Sequence, residues 1–177
     1  MTSTPAPTPD LITERLVLRP WTVSDADAVL ADDRATDWAG DFPAEGDRVI
    51  AGLFAEHPDW LGPYGHRLIV ERASHSVVGS IGLFRPPADG ALELGYGIVP
   101  SCRGRGYATE ATRAMAAFAL TAPDVDAVVA RAELSNPSSV RVLEKAGFHH
   151  FATAENTAGF RTHPPDVTRL GEPPAAP

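Results

Sequence analysis

Cysteine is all but missing: Cys102 stands alone in 177 residues, which excludes a disulfide framework and any zinc site built on several thiolates. Lysine is as scarce. Lys145 stands against fourteen arginines, and with abundant alanine, proline and glycine that ratio reads as a GC-rich coding background rather than as function. A net charge of −8 speaks against unassisted nucleic-acid binding, which needs a positive face. No run of about 18 apolar residues occurs, so no membrane-spanning helix is expected. Met1–Asp10 lacks the basic start and apolar stretch of a secretory signal, which leaves the cytoplasm as the default compartment. The histidines (57, 66, 75, 149, 150 and 163) never recur at H-x-H or H-x-x-x-H spacing, so no metal site is expected. Neither a Gly-Lys-Ser/Thr phosphate loop nor a G-x-S-x-G nucleophile elbow occurs.

A chain of this length buries roughly two-thirds of its unfolded surface, enough for one core without staples. Of its 17 prolines, three fall within Met1–Pro9 and five within Pro164–Pro177. Both ends therefore read as frayed or extended, giving a tail over residues 1–10, one packed domain over 11–170, and a proline-rich tail over 171–177. Leu16–Leu18, before Arg19-Pro20, predicts a first strand. Thr22 or Ser24 is placed to cap a helix through about Asp33 with Ala26, Val29 and Leu30 inward. Pro43 to Phe54 predicts a second helix, with Val49, Ile50, Leu53 and Phe54 on its buried stripe. Arg67–Arg72 and Val77–Phe84 predict a hairpin, and a turn over Pro86–Gly90 leads into the strand Leu92–Val99. Ala108–Leu120 is the clearest helix, with Ala108, Ala111, Met115 and Phe118 on one face. Val128–Leu134 follows as a strand. Asn136 and Pro137 then open a helix that Gly147 closes. Phe148–Thr153 and Val167–Leu170 are weaker strands. The order β-α-α-β-β-β-α-β-α-β-β predicts a mixed α/β (α+β) fold rather than strict βαβ alternation.

The chemistry concentrates between Gly95 and Ala111. A strand runs into a short basic glycine loop and then a helix N-terminus, which aims backbone N–H groups and the positive end of the helix dipole at one point. Glycines let a phosphate approach the backbone, and Arg103 and Arg105 add charge, so the segment suits a pyrophosphate. It is not the dinucleotide-binding G-x-G-x-x-G, because Thr109 stands in place of the third glycine. The alternative is a glycine-assisted turn with no ligand. Cys102 beside it reads as a small buried thiol. In Leu92–Val99, alternation puts Leu92, Leu94, Tyr96 and Ile98 on one face and Glu93, Gly95, Gly97 and Val99 on the other. An acid followed by two bare glycines leaves room for a ligand against the strand, the alternative being a solvent-facing Glu93.

Three segments, in order, resemble one family. Arg103-x-x-Gly106-x-Ala108 resembles the Q/R-x-x-G-x-G/A signature of the GNAT N-acetyltransferase superfamily. Asn136-Pro137-Ser138-Ser139-Val140-Arg141-Val142-Leu143-Glu144-Lys145-Ala146-Gly147-Phe148 is similar to the N-x-x-S-x-x-v-l-e-k-x-G-F segment of its ribosomal-protein acetyltransferase (RimJ/RimL-like) branch. Thr13–Pro20 is similar to that branch's opening T-e-R-L-x-L-R. The resemblance implies the GNAT fold: a twisted, mixed, mostly antiparallel sheet that splays open between strands four and five, with helices on both faces. It implies acetyl-CoA as cosubstrate and no metal, with the pantetheine arm of coenzyme A in the splay along Ile98 and Val99. The pyrophosphate is then implied on Arg103, Gly104, Arg105, Gly106, Ala108 and Thr109. Asn136 is an implied cofactor contact, although an Asn before a Pro at a helix start is also what capping alone selects. Glu93 is the implied base for the acceptor amine. Many members place a tyrosine acid seven residues after the capping Asn. Here that position is Leu143, which cannot donate, and Ser139 is the implied substitute, unless it is only a first-turn helix serine. The reading is acetyl transfer to a primary amine by direct attack on the thioester, in a monomer or homodimer. Its alternative is a non-catalytic acyl-CoA-binding or interaction module on the same fold.

The negative charge is local. Asp25–Asp59 holds ten acids against Arg34 and Arg48, and elsewhere thirteen acids balance thirteen bases. If this stretch walls the acceptor site, the acceptor is a small cationic amine or a basic peptide N-terminus, with Trp38 or Trp60 holding the cation by its ring face. If not, the acids are the solvated faces of two helices.

Overall fold

The computed structural model describes residues 7–164. Eight strands form a single sheet: β1 (Leu11–Ile12), β2 (Leu16–Pro20), β3 (His66–Glu71), β4 (Val77–Ala88), β5 (Ala91–Ile98), β6 (Ala127–Glu133), β7 (His149–Ala154) and β8 (Thr157–Thr162). Their spatial order is β1-β2-β3-β4-β5-β6-β8-β7. Every neighbouring pair is antiparallel except β5 and β6, which run parallel. The helices are α1 (Val23–Leu30), α2 (Glu45–Leu53), α3 (Tyr107–Ala119) and α4 (Pro137–Lys145).

Local chemistry starts and stops these helices. Thr22 and Asp25 form a reciprocal capping box: the Thr22 hydroxyl accepts from the Asp25 amide at 3.1 Å, and the Asp25 carboxylate accepts from the Thr22 amide at 2.8 Å. Such a cap is worth about 1 kcal/mol. Asn136 caps α4, Pro137 occupies its first position, and Gly147, at φ 92°, follows its end. Strand alternation and side-chain contacts place the helices on opposite faces. His66, Ser80 and Phe84 point towards α1, α2 and the 3-10 turn Pro58–Leu61, whereas Arg67 and Glu71 point towards α3, meeting Phe118 and Tyr107. The core fills both sides, with Leu16, Leu18, Ile81, Leu83, Leu92 and Met115 all inaccessible to solvent.

Several boundaries differ from the sequence expectation. Leu30 and Val49 are exposed: α1 turns Ala26 and Val29 inward, and α2 opens on Ala44, whose amide donates to the Asp47 carboxylate at 2.8 Å. In α2 it is Asp47 and Ala51 that turn inward. β4 runs on through Pro86 and Pro87 to Ala88, where a register irregularity between Phe84 and Ala88 spares the ladder the missing donors. The turn itself is Asp89-Gly90, both at positive φ, as a tight hairpin demands. β8 was not expected, since only Ala158, Phe160 and Thr162 face inward and they make a weak apolar pattern. It pairs β6 on one side and β7 on the other, leaving β7 exposed at the sheet edge. Residues 7–10 form no strand or helix, yet the Pro9 carbonyl accepts from the buried Arg67 at 2.8 Å, so the tail is tied down at that point. Val167–Leu170 and the 171–177 tail lie outside the described residues.

Candidate functional site

The strand expected as the fourth is β5 and the fifth is β6, and they part company early. Their parallel ladder contains Ala91↔Ala127, Leu92↔Val128 and Glu93↔Val129, and stops there. On its other side β5 stays paired with β4 as far as Gly79↔Ile98, while β6 stays paired with β8 through Glu133↔Thr157. From Leu94 to Ile98 one edge of β5 therefore faces a fork instead of a strand. Backbone groups on such an edge are open to an extended ligand.

Glu93 stands where the fork begins. Its side chain is 39% exposed and its carboxylate lies 3.7 Å from Arg131 Nε on β6. The two glycines that follow it on the same face differ. A Cβ on Gly95 would lie 2.9 Å from the Phe84 ring, so that space is filled by protein. Gly97 has nothing within 4 Å, and it pairs with Ser80, whose hydroxyl donates to the buried carboxylate of Asp47. Burial pushes the Asp47 carboxyl up, against the pull of the Ser80 and Ala44 donors. The same face carries His66, whose ring occupies the place a Cβ on Gly82 would take.

Past Ile98 the chain makes a 3-10 turn over Pro100–Cys102 and enters the glycine loop. Gly106, at φ 81°, is the N-cap of α3, and no side chain caps the helix. Its first amides are thus presented by Gly106, Tyr107, Ala108 and Thr109. Space around Gly104 is open within 4 Å, and a Cβ on Gly106 would meet only Arg15 Nη2, at 3.2 Å. An uncapped helix N-terminus beside open glycines fits an anionic group such as pyrophosphate. Arg103 folds back, donating from Nε to the Ile98 carbonyl at 2.9 Å, and Arg105 lies 3.5 Å from Glu71. Both arginines thus also brace the loop.

A cleft of about 570 Å³ opens beside this terminus, lined by Arg15, Gly106, Thr109, Glu110, Arg113 and Lys145 together with Glu14. Five of these were not singled out from sequence as site residues: Glu14, Arg15, Glu110, Arg113 and Lys145. Glu110 orders the wall by accepting from the Thr13 hydroxyl at 2.7 Å, the Arg15 amide at 2.8 Å and Arg15 Nε at 2.7 Å. Burial pushes its carboxyl up, but these donors hold it below the ordinary range. Arg113 donates to the Lys145 carbonyl and so ties α3 to α4.

Across the fork, Asn136 Oδ1 accepts from the Ser139 amide at 3.3 Å, so its side chain acts as a helix cap. Leu143 is fully buried. The Ser139 hydroxyl lies 2.9 Å from the phenol of Tyr96 on β5. Sequence alternation put Tyr96 among the apolar residues and gave no sign of this contact.

One expectation about the acidic segment is corrected. Trp38 and Trp60 are 8% and 7% exposed and belong to the core, so neither ring face is free for a cation. Trp38 packs on Phe42, and Trp60 is stacked by His57 and met edge-on by Phe84. Four of the ten acids are held inside the protein's own network: Asp25 by Arg19, Asp32 by Arg48, Asp41 by Ser101 and Asp47 by Ser80. Cys102 is buried. Among the described residues no cluster of three or more His, Cys, Asp or Glu is arranged to hold a metal, and no helix is long and apolar enough to cross a membrane.

Residues 15–149 match the family model described as an acetyltransferase (GNAT) domain. An uncharacterized N-acetyltransferase, YjdG, of Bacillus subtilis (strain 168) is 35% identical over 82 residues, 46% of this chain. The match spans about half (49%) of that relative's length. The acetyltransferase of Agrobacterium tumefaciens strain C58 superposes with a TM-score of 0.63 at 25% identity, over 92% of this chain and 99% of the other. A Vibrio cholerae protein assigned as a ribosomal-protein-serine acetyltransferase superposes with a TM-score of 0.66 at 19% identity, over 89% of this chain and 99% of that one. With the forked sheet and the uncapped glycine-loop helix already in place, these likenesses settle the family: the chain belongs to the GNAT acetyltransferases.

Proposed function

We propose that the protein is an N-acetyltransferase that uses acetyl-CoA and acts on primary amines by direct transfer. The observation that carries this reading is the end of the β5–β6 ladder at Glu93↔Val129, which puts an acid, a free strand edge and an uncapped helix N-terminus around one fork. When bound, acetyl-CoA supplies an activated acetyl thioester and a thiol leaving group. The α3 amides from Gly106 to Thr109 and the loop residues Arg103, Gly104 and Arg105 take its diphosphate charge. The backbone of Ile98 and Val99 accompanies its extended arm, with Asn136 on the opposite side of the fork. Free N–H groups on the β5 edge polarise the carbonyl under attack. Glu93, half exposed at the fork's apex, takes the proton that the attacking ammonium must lose, directly or through water. Ser139 holds a proton for the departing sulfur.

The acceptor we infer is cationic. Six acids between Asp27 and Asp59 are exposed and not among those held by the contacts described above, and they belong to the segment whose helices α1 and α2 cover the sheet face that Glu93 shares. The test is thiol release over a panel of amines and basic peptides, with mass detection of the acetylated product. We expect turnover on cationic acceptors, KM rising with added salt, and kcat falling about 100-fold or more in Glu93→Gln. Binding of acetyl-CoA with no product from any acceptor would instead favour a non-catalytic acyl-CoA-binding module.

A further inference from the structure

Ser139 is a weak acid for the task just given to it. Of the side chains ordinarily found near neutrality, a thiol loses its proton at about 8.5 and a phenol at about 10, and an aliphatic hydroxyl holds its proton far more tightly than either. A serine alone is poorly matched to a thiolate. A phenol is much better matched, and one is in contact. Tyr96 Oη lies 2.9 Å from Ser139 Oγ and 3.4 Å from the Ser139 carbonyl. The contact joins β5 to the first turn of α4, across the two arms of the fork, and Tyr96 is half-buried there. Strand alternation supplies a second point. Glu93 and Tyr96 are three residues apart on β5, so their side chains leave opposite faces of the sheet. A base and a proton donor thus flank the same free edge from its two sides, as a reaction needs when it takes a proton from the entering group and gives one to the leaving group.

We propose that Tyr96 is the proton source for the leaving sulfur and that Ser139 is the relay that delivers it. This rests on the acetyl-transfer reading above. As the N–C bond forms and the C–S bond breaks, the bonding pair goes to sulfur. The Ser139 Oγ proton moves to sulfur, the Tyr96 Oη proton moves to Ser139 Oγ, and solvent returns a proton to the phenolate. The amine's proton leaves through Glu93, so charge and atoms balance. Burial of Tyr96 favours the neutral phenol, against the pull of its bond to Ser139, which keeps the donor loaded between turnovers. Because Tyr96 acts through Ser139, it is a positioning residue for that proton.

Two measurements test this. In steady-state turnover, Tyr96→Phe and Ser139→Ala should each lower kcat by about 10- to 100-fold with the KM for acetyl-CoA unchanged within about two-fold. The double variant should be no slower than the worse single one, since links in series fail together. The second measurement uses coenzyme A alone, reading the ionisation of its bound thiol by ultraviolet absorbance. A Tyr96–Ser139–sulfur chain stabilises the thiolate, so the bound thiol should ionise at lower pH in the wild type than in Tyr96→Phe or Ser139→Ala. A merely structural Tyr96 would not move that titration. Wild-type kcat in Tyr96→Phe, additive losses in the double variant, or a thiol titration indifferent to Tyr96 would each overturn the relay and leave acetyl transfer standing. A titration that depends on Tyr96, with no amine acetylated, would support the relay's hydrogen-bond chain and defeat the transfer reading.

Discussion

His66 is a histidine with no route to a stable positive charge. It is 3% exposed on β3, with the rings of Phe84, Trp60 and Phe54 at centroid distances of 5.0, 5.2 and 5.7 Å. Its Nε2 is buried and has no hydrogen-bond partner. Burial pulls its pKa from 6.5 to about 4. Between those two values the unfolded chain binds a proton that the folded protein refuses, so stability falls as pH falls through that window. From the two pKa values the loss is about 2 kcal/mol by about pH 5 and about 3 kcal/mol by about pH 4, a substantial part of the 5–15 kcal/mol typical of a domain. Other groups act elsewhere or in the other direction. Asp32, Asp41, Glu71 and Glu110 are held below their ordinary values, so their stabilising contribution fades only in the more acidic carboxylate range. Asp47, pushed up by burial, is relieved by protonation and gains stability on acidification. The slope of the wild type alone is therefore ambiguous, and the comparison with a variant is what isolates His66. Urea unfolding at about pH 7 and pH 5 should show the wild type losing about 2 kcal/mol more than His66→Phe, which keeps a ring in the box. His66→Gln serves as the second variant. If either variant folds and shows the same loss as the wild type, another group carries the acid sensitivity and the reasoning fails.

The glycines give sharper outcomes. In Gly82→Ala the new Cβ falls 1.9 Å from His66 Nδ1, so thermal melting should show a loss of about 1–3 kcal/mol, whereas Gly97→Ala, with nothing within 4 Å, should melt like the wild type and raise the acceptor KM. Gly106→Asp places a carboxylate at the α3 N-cap, where φ is 81°, at a backbone cost of about 1–2 kcal/mol. Calorimetry should show acetyl-CoA binding abolished while circular dichroism reports a folded protein; unchanged affinity would remove the phosphate cradle.

How much of this was legible in the sequence depended on what kind of signal each feature leaves. Capping and apolar periodicity are local, so α1, α3, α4 and most of the sheet could be read directly: Thr22, Asn136, Pro137 and Gly147 each announce a helix end by their own stereochemistry. Motif spacing located the glycine loop, because Gly104 and Gly106 stand between the end of one strand pattern and the start of the periodic helix. The phase of α2 was not legible, because Asp47 faces inward only by virtue of Ser80, 33 residues away. The two tryptophans looked available for a ligand, because an aromatic residue has the same sequence signature whether its ring face is open or already covered.

The fork shows the deeper limit. Its opening depends on where the β5–β6 ladder stops, and nothing in β5 itself marks Glu93 as the last paired residue. Leu94 and Ile98, beyond it, are as apolar as Leu92 before it. Hydrophobic alternation reports which residues of a strand share a face, and it grouped Leu92, Leu94, Tyr96 and Ile98 together. It has no term for what lies beyond the strand's edge, so it reads Tyr96 as one more core side chain. Once the edge is free, the hydroxyl at the end of that side chain can reach α4, and the residue that alternation explains as packing also meets Ser139 at 2.9 Å, the contact on which the proposed proton relay rests.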